Sequence, residues 1–73
     1  MLEGYNMRKQ VTLGNYVRVK NLFLKAPDMY FSLTSIRDTL NIDYYSVKFI
    51  IDHLLKEGTI QKVENKYKRR KND

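Results

Sequence analysis

Residues 36–60 read IRDTLNIDYYSVKFIIDHLLKEGTI, and the spacing of apolar residues in this stretch decides the fold. Ile36, Leu40, Ile42, Val47, Ile50, Ile51, Leu54 and Ile60 fall where two crossed helices and a following strand interlock. Thr34 or Ser35 is a good N-cap for the first helix, with Asp38 three residues after Ser35 completing a capping box, and that helix runs to Leu40. Asn41 stops it, because asparagine tolerates the left-handed backbone a chain needs to leave a helix sharply. Asp43 caps the next helix, predicted over Tyr44 to Glu57 and closed by Gly58. At 100° per residue, Val47, Ile50, Ile51 and Leu54 of this helix cluster on one side. Tyr45, Lys48, Phe49, Asp52 and Lys56 gather on the other, and Asp52 is expected to pair with Lys48 or Lys56, each four residues away.

Outward from this stretch, Thr59 to Val63 is β-prone, Glu64-Asn65 suits a tight turn, and Lys66 to Arg70 can return as a second strand. On the N-terminal side, Tyr30 to Leu33 follows a proline turn and reads as a brief strand or extended connector. From about Thr12 to Lys25, Leu13, Tyr16, Val17, Val19, Leu22, Phe23 and Leu24 follow helical spacing, and Ala26-Pro27-Asp28 ends that helix. Its apolar arc is wider than one core face needs. Val17 and Leu24 therefore serve either a second surface, such as a dimer partner, or a wholly buried helix. Residues 1–10 lack periodicity and read as an N-terminal arm, 11–70 as one domain and 71–73 as a tail.

The 73 residues include 14 Lys and Arg against 8 Asp and Glu, a net charge of +6 that favours polyanionic partners, nucleic acid first. Lys62, Lys66, Lys68, Arg69, Arg70 and Lys71 concentrate that charge near the C-terminal end, either for a phosphate backbone or as a solvated tail. The absence of cysteine excludes disulfides, thiolate zinc sites and thiol catalysis. His53 has no HExxH-like spacing and no glycine-rich phosphate loop near it, so it reads as a surface or packing residue. Neither catalysis nor a metal or other cofactor is expected. With no long apolar run, neither a signal peptide nor a membrane span is expected, and the implied location is cytoplasmic.

The segment Ile36 to Ile42, the positions Val47, Ile50, Ile51 and Leu54, and the ending Leu55-Lys56-Glu57-Gly58-Thr59-Ile60 resemble the winged helix-turn-helix DNA-binding proteins, in particular small archaeal, plasmid and viral transcription regulators. The resemblance covers about residues 12–70. Arg37 departs from it by standing where the family usually has alanine, which either splays the two helices or sends the Arg stem outward. Asn41 departs more mildly, in place of the common glycine.

The resemblance implies a mainly α fold of three helices with a C-terminal hairpin as the wing. It also implies a sequence-specific regulator of double-stranded DNA, more a repressor than an activator, because 73 residues leave no room for an activation or sensing domain. The helix at 44–57 would enter the major groove. Tyr44, Tyr45 and Ser46 would reach phosphates, Lys48 a guanine or phosphate, and Phe49 a thymine methyl unless it packs inward. Lys62, Asn65, Lys66, Lys68, Arg69 and Arg70 would follow the minor groove or backbone, and Arg37 would clamp a phosphate. A homodimer through helix one and the arm would double the bases read, and no small-molecule ligand is expected. Rival readings share these residues: a protein–protein interaction module on the same fold, an architectural protein that coats DNA without reading its sequence, and a binder of RNA or single strands stacking bases on Tyr44, Tyr45, Tyr67 and Phe49.

Overall fold

The computed structural model describes residues 10–71. Among these the chain is mainly helical, with α1 Leu13–Lys25, α2 Leu33–Leu40, α3 Tyr44–Glu57 and an antiparallel hairpin of β1 Ile60–Val63 and β2 Lys66–Arg69. This order is compatible with a winged-helix layout. Nine of the ten positions expected to form an N-terminal arm lie outside the described residues, as do 72 and 73 of the tail. No helix among the described residues is long and apolar enough to cross a membrane.

Each boundary has a local cause. Thr12 caps α1 by accepting from the Asn15 amide at 3.1 Å. The helix stops before Pro27, whose ring disfavours helical backbone at Ala26. The start of α2 differs from expectation: Ser32, not Thr34 or Ser35, is the N-cap. Its hydroxyl accepts from the Ser35 amide at 3.1 Å, and Ser35 Oγ accepts from the Ser32 amide at 3.2 Å. A serine pair thus closes the reciprocal box that Asp38 was expected to close, and Leu33 enters the helix to pack against the core. Of the two readings of Tyr30 to Leu33, brief strand or extended connector, the segment takes the connector, touching the sheet through one bridge, Phe31 to Tyr67, with both backbone hydrogen bonds at 2.8 Å, while Leu33 belongs to α2.

Asn41 takes the left-handed conformation, φ 57° and ψ 47°, and turns the chain from α2 towards α3 as its sequence position implies. Asp43 accepts from the Ser46 amide at 3.0 Å and from Ser46 Oγ at 2.7 Å, while its own amide donates to Gln10 Oε1 at 2.6 Å. Gly58, at φ 82°, ends α3 and sends the chain into β1.

The core draws on every element: Val19 and Phe23 from α1, Ile36 from α2, Ile42 from the turn, Val47, Ile50, Ile51 and Leu54 from α3, Ile60 and Tyr67 from the hairpin. Phe31 meets Phe23 edge to face, ring centroids 5.3 Å apart, fastening the connector to the core.

The hairpin turn is Glu64-Asn65, between the paired Val63 and Lys66. Glu64 sits at φ 58°, a region that costs a non-glycine residue about 1–2 kcal/mol. Two-residue hairpin turns with positive φ at the first central position favour glycine there. Glu64→Gly is therefore expected to raise stability by about 1 kcal/mol, less the entropy glycine adds to the unfolded chain. A lower urea midpoint for the variant would count against this source of strain.

Candidate nucleic-acid interface

The helix α3 divides as its sequence implies. Val47, Ile50, Ile51 and Leu54 are buried, whereas Tyr45, Lys48, Phe49, Asp52 and Lys56 are exposed along the opposite side. Tyr44 is half-buried at the boundary, its ring edge to face with Tyr45 at 5.6 Å. Phe49, 42% exposed, borders an apolar groove of about 300 Å³ with Val11, Leu13, Tyr16 and His53.

Two expectations on this helix are corrected. Ser46 was expected to reach phosphate, but its side chain is fully buried and its hydroxyl is given to the Asp43 carboxylate, so it fixes the N-cap instead. Asp52 was expected to pair within its helix. Among the described residues it makes no ion pair with Lys48 or Lys56, so its negative charge stands open on the second half of the exposed face, leaving the first two turns the more favourable to a polyanion.

Arg37 resolves the question its bulk raised at the close approach of α2 and α3. Its side chain is exposed, with Nε 2.9 Å from Asp38 Oδ1, so the stem runs outward and the helices pack without it. Arg18, which the sequence reading did not single out, donates from Nη2 to the Leu40 carbonyl at 2.9 Å and from Nη1 to Asn15 at 3.0 Å. A cation thus meets the carbonyl end of α2, where the helix dipole favours it.

The register divides the hairpin's basic residues between its two sides. Paired residues share a side, so Lys62 and Arg69 lie with the buried Tyr67 and Ile60 but are themselves exposed. Lys66 and Lys68 lie on the other side with Val63 and Gln61. Lys68 Nζ stands 5.0 Å from the centre of the Tyr30 ring. Asn65 and Lys66 are exposed at the tip, and the exposed Arg70 runs close to Gly58 at the end of α3. Lys71 folds back on Asp28, Nζ to Oδ1 3.2 Å, an exposed pair of small energetic weight. Tyr67 is buried, which removes it from the set of stacking rings that a single-strand reading would use.

A polar junction ties α1 to the end of α3. The Tyr16 hydroxyl lies 2.6 Å from both carboxylate oxygens of Glu57, which also accepts from Thr59 Oγ1 at 2.8 Å and has Lys20 Nζ at 3.5 Å. The hydrogen bond from Tyr16, then that from Thr59, holds the Glu57 carboxyl below its ordinary 4.5. Sharing its proton with Glu57 in turn raises Tyr16 above 10.0. A carboxyl lowered in the fold stabilises above its unfolded pKa and loses that contribution as pH falls through the lowered value; a raised phenol loses its contribution as pH climbs past 10.0. Tyr16→Phe is therefore expected to flatten the fall in melting temperature below pH 4.5. An unchanged acid limb would show that the junction does not couple to folding.

Among the described residues no group of three or more His, Cys, Asp or Glu side chains could hold a metal ion. His53 is exposed, its ring edge to face with Tyr16 at 5.7 Å. The chain matches no protein-family model, no curated protein and no solved structure.

Proposed function

We propose that the chain is a winged helix-turn-helix protein that binds double-stranded DNA and reads its sequence as a transcriptional regulator, most simply a repressor in the cytoplasm at the nucleoid. The observation that carries this reading is α3. One side is buried, its start is fixed by the Asp43 and Ser46 cap, and its outer side presents Tyr45, Lys48 and Phe49 on the first two turns. A helix so held suits the major groove, about 12 Å wide.

In this reading Lys48 donates to guanine acceptors or a phosphate, and the hydroxyls of Tyr44 and Tyr45 donate to phosphates. Phe49 meets a thymine methyl, and Arg37 clamps a phosphate. Lys62, Asn65, Lys66, Lys68, Arg69 and Arg70 follow the backbone and minor groove as the wing. Leu13, Val17 and Leu24, exposed along one side of α1, support a homodimer that would present two such helices to an inverted repeat.

Lys48→Ala tests the division of labour. On selected duplexes it is expected to relax preference at one or two base positions, about 1–3 kcal/mol against the wrong base, and to leave binding to random duplex nearly unchanged. Equal losses on selected and random duplex would mean that Lys48 serves only the backbone. The apolar groove beside Phe49 favours one alternative, a winged-helix protein–protein interaction module. In that case Phe49→Ala would abolish the activity while Lys48→Ala would leave it intact.

A further inference from the structure

We infer that the outer face of the hairpin is a second nucleic-acid site that holds an unpaired nucleotide, its base against the Tyr30 ring and its phosphates against Lys66 and Lys68. The placement of Tyr30 begins with its neighbour. Phe31 is clamped by two 2.8 Å backbone hydrogen bonds to Tyr67, and its ring is spent on Phe23. Successive residues of an extended segment point to opposite sides, so fixing Phe31 inward fixes Tyr30 outward, on the side of the hairpin that carries Lys66 and Lys68.

The ring is 48% exposed, although a tyrosine serving the core from this sheet would be covered as Tyr67 is, at 8%. Beside it opens a groove of about 380 Å³ lined by Tyr30, Val63, Glu64, Asn65 and Lys66, a volume within the roughly 300–1,000 Å³ of small-ligand sites. Each part matches a part of a nucleotide. Tyr30 and Val63 offer apolar surface to the face of a base, the Asn65 amide offers a donor and an acceptor to its edge, and two lysines offer charge to the backbone. Glu64 is the one acid in the groove, so phosphates are steered to the Lys66 and Lys68 side.

A base pair inside a duplex has both faces covered by its neighbours and cannot use the ring. The occupant is therefore a single strand, a frayed end or an extruded base. The inference goes beyond duplex reading by α3: it shares Asn65, Lys66 and Lys68 with the wing but rests on Tyr30 and Val63, which the duplex reading does not use, so variants at those two positions separate its failure from failure of duplex binding.

Fluorescence anisotropy of labelled oligothymidylate and of a random duplex, each titrated with the parent, Tyr30→Ala and Tyr30→Phe at two salt concentrations, tests it. The parent is expected to bind the single strand. Tyr30→Ala is expected to weaken that binding roughly tenfold or more with an unchanged salt slope, because stacking releases no counterions. Tyr30→Phe keeps the ring and is expected to stay within about twofold of the parent, and the duplex is expected to bind all three alike. Val63→Glu, an exposed change that adds an acid to the groove, supplies the same loss independently should Tyr30→Ala fold poorly. The inference is overturned if the parent ignores oligothymidylate, or if Tyr30→Ala and Val63→Glu bind it as the parent does. Equal losses of single strand and duplex in Tyr30→Ala would overturn it too.

Discussion

Phe23→Ala is expected to leave the chain largely unfolded at physiological temperature. Phe23 is fully buried in the core cluster to which α3 also contributes, and it meets Phe31 edge to face at 5.3 Å. Truncating a buried phenylalanine costs about 3–5 kcal/mol. A chain of this length holds a total of only about 4–11 kcal/mol, so most of the margin goes. The loss extends beyond the cavity, because Phe31 fastens the connector to β2 through the single Phe31–Tyr67 bridge, and a ring with nothing to pack against loosens that attachment. Phe23→Leu, which refills most of the space, is expected to retain a cooperative transition. Urea unfolding followed by circular dichroism checks both, and a Phe23→Ala midpoint close to that of the parent would mean the core does not run through α1 as described.

The second large effect is electrostatic. Replacing Lys62, Lys66 and Lys68 by alanine together removes three cations from the hairpin, two from its outer side and one from its inner rim. If each neutralises a phosphate, the logarithmic salt slope of duplex binding should fall by about 2.7, at roughly 0.9 per contact. The same counterion arithmetic gives a loss on the order of a hundredfold at physiological salt. The loss should be the same for every duplex sequence, because backbone contacts carry no sequence information. Lys62 and Lys66 are exposed and Lys68 is half-buried, so the fold should survive, with a small cost from losing the Lys68 contact with Tyr30. A slope that stays put would place the hairpin away from the DNA.

The elements legible in the sequence were those set by short-range chemistry. Asn41 and Gly58 mark helix ends because each supplies a left-handed residue, and both adopt it, at φ 57° and 82°. The two sides of α3 followed from periodicity alone, since 3.6 residues per turn fixes which side chains travel together. The start of α2 was less legible because three hydroxyl residues, Ser32, Thr34 and Ser35, compete for one cap. A cap at Ser32 brings Leu33 into the helix, where it packs partly buried against the core, a tertiary contact that no local rule reports. Ser46 misled for a related reason: three residues after Asp43, it can turn its hydroxyl back to the cap or outward to a ligand, and the carboxylate is nearer.

The candidate interface was less legible than the fold. Phe49, Lys48 and Tyr45 could be placed on an exposed side, but the orientation of hairpin residues depends on register, which the sequence does not state. Tyr30 escaped notice because its exposure follows from the Phe31–Tyr67 bridge, a contact across 36 residues of chain. Likewise, Asp52 has two lysines at helical spacing and still pairs with neither among the described residues; exposed i,i+4 pairs gain only a few tenths of a kcal/mol, too little to dictate a rotamer.

The central claim is that α3 reads base pairs while the hairpin holds the backbone. Selection of bound sequences from a pool of random duplexes, performed with the unaltered protein at two salt concentrations, tests it most directly. The expected result is an enriched motif that persists at the higher salt, arranged as an inverted repeat if two copies bind through α1. Binding that disappears with salt and enriches no motif would contradict base reading by α3, and an absence of binding at both concentrations would contradict DNA recognition altogether.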